Sequence, residues 1–116
     1  MMSNKGEKMK TLNDYCNDLC ERITKATHER WKHTRETTTH TYKVGQKYIK
    51  IITCENGNDR SVWGFINKSN PNFNEGDVLK AAGWRTPALN KARGNIYDGY
   101  DIDPNSMRIY GPDYLI

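Results

Sequence analysis

The chain has 116 residues, enough for one domain. It carries 18 Lys and Arg against 14 Asp and Glu, a formal charge of +4, and three cysteines. These figures exclude a disulfide framework and a two-domain dinucleotide enzyme, and no run approaches the roughly 20 apolar residues of a membrane span.

Leu, Ile, Val and Phe together make up about 16% of the chain, below the roughly 20% that warns of disorder at high net charge. The net charge is low here, and seven Tyr and three Trp add large area to bury. The expectation is a folded domain with a thin, aromatic-rich core and generous loops. Twelve asparagines and nine glycines agree with loops. Residues 1–50 have a net charge of +5 and residues 51–116 a net charge of −1.

Residues 1–10 are polar, lack the apolar stretch of a signal peptide, and read as a flexible N-terminus. Residues 11–116 read as a single α+β domain. Thr11-Leu12-Asn13-Asp14 is a helix start of the capping-box type. Leu12, Tyr15, Cys16, Leu19, Cys20, Ile23, Thr27 and Trp31 follow 3–4 spacing, which predicts an amphipathic helix over 12–32. Residues 33–41 hold five threonines and nothing apolar, and read as a linker or the frayed approach to a strand.

The sheet region is expected over 42–116. Tyr42 to Cys54, centred on YIKIIT, reads as one strand. Asn56-Gly57 is a hairpin signal, and Ser61 to Ile66 answers as the second strand. Strict alternation places Val62, Gly64 and Ile66 on one face, and Trp63 and Phe65 on the other. Residues 67–77 read as a loop, and Val78 to Ala82 as a third short strand. Thr86-Pro87 predicts a short helix with Thr86 as N-cap, ended by Gly94. A turn at Asp103-Pro104-Asn105-Ser106 and a last strand from Met107 to Tyr110 lead to an apolar terminus, Tyr114-Leu115-Ile116, expected to dock. The predicted architecture is the N-terminal helix packed on a small antiparallel sheet, plus one short helix in the C-terminal half.

Several constellations invite chemistry. Cys16 and Cys20 share a helical face and Cys54 ends a strand, so zinc completed by His28 or His33 is conceivable. The turn-borne cysteine pairs of zinc sites are missing, and three small core residues are the simpler reading. His28, His33 and His40 have no nucleophile beside them in sequence, and read as solvated. Asp101-Ile102-Asp103 starts like a calcium loop but lacks its glycine and distal glutamate. Asp98, Asp101, Asp103 and Lys91 have the residue types of a metal-dependent nuclease without a spacing that shows convergence. No cofactor, metal or catalytic group is expected, and the protein is read as non-enzymatic.

Residues 80–93, KAAGWRTPALNKAR, contain Lys80, Arg85, Lys91 and Arg93, no acid, and Trp84. With a helix N-terminus at Thr86, such a segment suits a phosphate backbone. The competing reading is a solvated basic face with Trp84 in the core. Lys25, Arg30 and Trp31 on the first helix extend the surface, or form a face for a protein partner.

YIKIIT, the Asn-Gly turn, SVWGFI, GDVLKAAGWRTPALNKARGNIYDG and YGPDYL together resemble small proteins of tailed bacteriophages that carry no assigned function. The resemblance covers about residues 46–116 and includes Gly76, Asp77, Lys80, Trp84, Pro87, Ala92, Arg93, Gly94 and Asn95. The N-terminal helix, the Asn-rich loop at 67–75 and Asp101-Ile102-Asp103-Pro104 lie outside it or depart from it. It implies a phage product acting in the cytoplasm of a bacterial host, and it implies no activity. Arg93-Gly94-Asn95 can be structural, a helix C-cap and the turn after it. Two readings stay open. One is a non-enzymatic accessory protein binding DNA or RNA through the basic, Trp-bearing surface. The other is an effector that binds and inhibits a host or anti-phage defence protein. Neither a membrane nor a small-molecule ligand is indicated.

Overall fold

A computed structural model of the chain describes residues 10–34 and 36–114. The expected flexible N-terminus (apart from Lys10), Arg35 and the last two residues, Leu115 and Ile116, lie outside the described residues.

The first element, α1, spans Leu12–Arg30. It starts where the capping box places it. The backbone N–H of Asp14 donates to Thr11 Oγ1 at 3.2 Å, and the N–H of Thr11 donates to Asp14 Oδ2 at 2.9 Å. Two of the otherwise unpaired donors of the first turn are thereby satisfied. The buried stripe is Cys16, Leu19, Cys20, Ile23, Ala26 and Thr27. Fully burying an aliphatic side chain such as Leu19 or Ile23 contributes about 1.5–3 kcal/mol, far more than the helix's own propensity.

Four antiparallel strands follow in the order of the chain: β1 Thr38–Val44, β2 Tyr48–Glu55, β3 Asn58–Asn67 and β4 Val78–Leu79. The β2–β3 turn is at Asn56-Gly57, both with positive φ (54° and 81°), as a tight hairpin requires. The single strand expected over Tyr42 to Cys54 is two strands, broken at residues 45–47, where Gly45 N–H donates to the Tyr48 carbonyl at 2.8 Å. The threonine-rich run, expected as a linker or the frayed approach to a strand, supplies the first part of β1, from Thr38. Threonine is β-branched and fits a half-exposed strand, so a run without apolar residues can still pair.

Cross-strand partners define the two faces. Val44, Ile49, Ile66 and Val78 form one row, and Tyr42, Ile51 and Gly64 the next. This inner face packs with the α1 stripe into one core with Trp63, Ile96 and Tyr100. The outer face carries Lys43, Lys50, Phe65 and Leu79 in one row, and Thr41, Ile52 and Val62 in the next. Strict alternation fails at Trp63. A bulge opposes Ile51 to Gly64 and Ile52 to Val62, so Trp63 is the extra residue and joins the same core as Ile66. Its indole Nε1 donates to the Arg108 carbonyl at 2.7 Å.

The loop after β3 is tightly organised. The buried side chain of Asn67 donates to the carbonyls of Asn70 and Asn74 and accepts from Asn70 N–H. Asn70 in turn donates to the Tyr48 hydroxyl.

The helix expected from Thr86 to Gly94 does not form. Ala81 and Pro87 pair as an isolated bridge, Ala88 N–H donates to the Lys80 carbonyl, and Arg93 and Gly94 exchange backbone hydrogen bonds with Val78. An apolar face of only Ala88, Leu89 and Ala92 buries too little to hold one short helix, whereas pairing beside β4 satisfies the same backbone groups. The strand expected from Met107 to Tyr110 is a 3-10 turn, Met107–Ile109, and a second 3-10 turn spans Ile96–Asp98. Ser106 starts the former by accepting from Arg108 N–H, a local cap that competes with extended backbone. The fold is therefore α+β: one long helix on a four-stranded antiparallel sheet, with two 3-10 turns in its C-terminal half.

Candidate nucleic-acid interface

The acid-free segment 80–93 is a broad loop beside β4, and its cations have different tasks. Lys80 Nζ donates to the Pro112 carbonyl at 2.7 Å and lies 3.7 Å from the centre of the Tyr114 ring. Partial burial, and then the nearby Arg93 charge, lower the pKa of Lys80. Arg93 donates to the carbonyls of Lys91 and Asp113 and to Asn90 Oδ1. Both side chains hold the loop and the C-terminal segment together. Because no helix starts at Thr86, the anion site expected at its N-terminus is absent.

Arg85 and Lys91 are exposed and make no side-chain hydrogen bond or ion pair among the described residues. Trp84 is 49% exposed, so it is not a core residue. The Lys50 ammonium stands over its ring, 5.4 Å from the centre. Lys50 is also directly opposite Lys43 in the β1–β2 ladder, on the same outer face. Like charges at directly opposed positions repel. Lys43 is partly compensated by Asp59 at 3.2 Å. Lys43, Lys50, Trp84 and Arg85 thus combine positive charge with an exposed indole, the combination that tracks a phosphate backbone while stacking a base.

The α1 residues are distributed over two other places. The Arg30 guanidinium lies 5.1 Å from the Trp31 ring centre, and Trp31 Nε1 donates to the Tyr110 hydroxyl at 2.7 Å. Beyond Tyr110 a groove of about 410 Å³ is lined by Met107, Pro112, Asp113, Tyr114 and Lys80. Arg108 donates through two nitrogens to the Asp113 carboxylate at 3.0 and 2.8 Å, and these bonds hold that carboxyl below its ordinary pKa. Lys25 lines a separate cleft with Arg22, Glu29, Asp101 and Asp103, a surface of both signs.

The cysteines occupy the interior. Cys16, Cys20 and Cys54 are free and buried, and burial pushes the thiols of Cys16 and Cys20 up to about 12. Among the described residues no three His, Cys, Asp or Glu side chains approach closely enough to hold a metal ion. Two histidines differ from the solvated reading. His28 Nε2 lies 2.7 Å from the Thr38 carbonyl, and His40 is buried beside Thr24.

Lys43 and Lys50 were not legible as site residues, because they belong to different strands and meet only through the β1–β2 register. The signal was their position within alternating strands, which a strand boundary at residue 45 would have exposed. Met107, Tyr110 and Tyr114, expected in a strand and a docked terminus, are all exposed.

No described helix is long and apolar enough to cross a membrane. Residues 1–103 match the family described as "Family of unknown function (DUF7717)", and the chain belongs to that family. No curated protein and no solved structure matches it.

Proposed function

We propose that this chain is a non-enzymatic accessory protein that binds nucleic acid on the outer face of its sheet, through Lys43, Lys50, Trp84 and Arg85. The observation that carries this reading is the directly opposed Lys43 and Lys50, with the Lys50 ammonium over an exposed Trp84 ring. A phosphate backbone relieves the repulsion between the lysines, and a base finds the indole beside them. The resemblance over residues 46–116 supports a phage product working in the cytoplasm of a bacterial host.

Fluorescence anisotropy with labelled single-stranded and duplex oligonucleotides tests the reading. Binding should weaken with salt by a slope of about −0.7 per phosphate neutralised on single strands, or about −0.9 on duplex. Lys50→Ala and Arg85→Ala should each flatten that slope, and Trp84→Ala should cost about 1–3 kcal/mol if a base stacks there. No binding at low salt, or binding that the triple variant leaves unchanged with its circular dichroism intact, would overturn it.

A second reading is favoured by one observation: Met107 (67% exposed) and Tyr114 (72% exposed) flank the groove beside Tyr110 and Trp31. Met, Tyr, Trp and Arg are the residue types that dominate protein interfaces. On this reading the chain is an effector that blocks a host or defence protein. A pull-down from bacterial lysate, with and without nuclease, separates the two. One stable protein partner that survives nuclease and is lost with Met107→Asp decides for the effector.

A further inference from the structure

The inner face of the sheet changes character along its length. Its apolar rows give way to His40, Thr53 and Ser61, directly opposed across β1, β2 and β3. α1 presents Thr24, Thr27 and His28 to this end, and Tyr110 closes it from the C-terminal side. The result is a pocket of about 260 Å³ lined by Thr27, His40, Thr53, Arg60, Ser61 and Tyr110 among others. A water molecule occupies about 30 Å³ of liquid, so the pocket is roomy enough for a polyatomic ligand.

Its hydrogen-bonding capacity is unspent. His40 is 8% exposed, and Nδ1 lies 2.9 Å from Thr24 Oγ1. That hydroxyl has no other partner among the described residues; with it as the donor to Nδ1, the ring proton sits on Nε2. Nε2 has no partner among the described residues. The Tyr110 oxygen accepts from Trp31, so its own hydrogen lacks an acceptor there. The hydroxyls of Thr53 and Ser61 make no hydrogen bond among the described residues. Arg60 has one carboxylate nearby, Glu55, at 3.7 Å. Glu55 also accepts from the Thr37 and Thr38 hydroxyls. His40 is the buried donor of this set, and leaving it unpaired costs about 1–3 kcal/mol. Thr53 is half-buried and Arg60, Ser61 and Tyr110 are exposed, so an acceptor-rich anion relieves His40 and replaces water at the others.

We propose that this pocket binds a small tetrahedral oxyanion of the phosphate class, with His40 Nε2, the Tyr110 hydroxyl and the Thr53 and Ser61 hydroxyls donating to its oxygens and Arg60 supplying the counter-charge at the mouth. The pocket lies on the inner side of the sheet, away from Lys43, Lys50 and Trp84, and its occupancy does not depend on nucleic-acid binding there. The phosphate is free, or it is the phosphate group of a mononucleotide or of a nucleic-acid end.

The test is a titration of the whole ¹⁵N-labelled protein with sodium phosphate at constant ionic strength and near-neutral pH, read on the histidine ring signals. His40 should shift saturably while exposed His33 does not, and sodium chloride should not reproduce the shift. Arg60→Gln, at an exposed position, should weaken binding about tenfold, the effect of one charge-assisted hydrogen bond. Ser61→Ala should weaken it less. AMP and a 5′-phosphorylated dinucleotide are the other arms. Tighter binding than phosphate by AMP alone identifies a mononucleotide site, tighter binding by the dinucleotide a nucleic-acid end, and no gain a site for free phosphate. A His40 ring that does not respond, or responds equally to chloride, shows a pocket that holds water alone and overturns the proposal. So does phosphate binding unchanged in both Arg60→Gln and Ser61→Ala.

Discussion

Gly64 and Pro112 touch. A Cβ on Gly64 would lie 2.8 Å from Pro112 Cγ and 3.0 Å from the Leu79 carbonyl oxygen, so the C-terminal segment lies against β3 only because residue 64 has no side chain. Gly64→Ala must push the segment away or strain the strand. It should lower stability by about 1–3 kcal/mol in urea denaturation. Gly83, whose added Cβ would meet nothing within 4 Å, is the control. Gly83→Ala should leave stability unchanged or raise it slightly, by up to about 1 kcal/mol, by restricting the unfolded chain.

The loop after β3 depends on one buried amide. Asn67→Ala orphans the N–H of Asn70 and removes one of the two hydrogen bonds accepted by each of the Asn70 and Asn74 carbonyls. We expect a loss of about 2–3 kcal/mol, whereas Asn72→Ala, an exposed side chain in the same loop, should change stability by less than about 0.5 kcal/mol. Equal effects of the two substitutions would refute the scaffold role.

Burial, and then the His28 charge, lower the pKa of His40 from 6.5 to about 4. The unfolded chain therefore binds a proton between these values that the folded chain refuses. Stability contributed by neutral His40 is full above the unfolded pKa and is lost as pH falls from about 6.5 to about 4, by up to roughly 3 kcal/mol. Urea midpoints across that window, compared with His40→Gln, isolate the effect. The same slope in both proteins would rule it out.

The native cysteines should be inert. With the thiols of Cys16 and Cys20 near 12, thiolate is scarce at neutral pH, and Cys54 is buried. Ellman's reagent should find no fast-reacting thiol in the native protein and three in denaturant. A rapidly titrating native thiol would contradict this packing.

The elements legible in the sequence are those fixed by local chemistry. Thr11 with Asp14 marked the start of α1, and Asn56-Gly57 marked the hairpin, because each motif satisfies or bends its own backbone. What escaped was decided by distant partners. The threonines of β1 pair only because β2 offers its edge. Residues 86–94 start like a helix, but β4 competes for their backbone groups. Trp63 changes face through a bulge that no alternation pattern announces. The candidate surface followed the same division. Trp84 and Arg85 were visible as a basic aromatic segment, while Lys43, Lys50, His40 and Ser61 meet only through strand register.

The C-terminal clasp has a consequence for how this chain can change over time. Lys80 and Arg93 grip the main-chain oxygens of Pro112 and Asp113, and Arg22 and Arg108 grip those of Tyr100 and Asp101. Main-chain oxygens are the same whatever side chain they carry. These four grips therefore fix the route of the segment and leave much of its wording free. Outside the buried Tyr100 and Ile109, the close-packed Gly111 and Pro112 and the Asp113 carboxylate, exposed positions such as Met107 and Tyr114 can be rewritten while the path over the sheet is kept. The molecule thus has a place where new contact chemistry can be tried without refolding the rest.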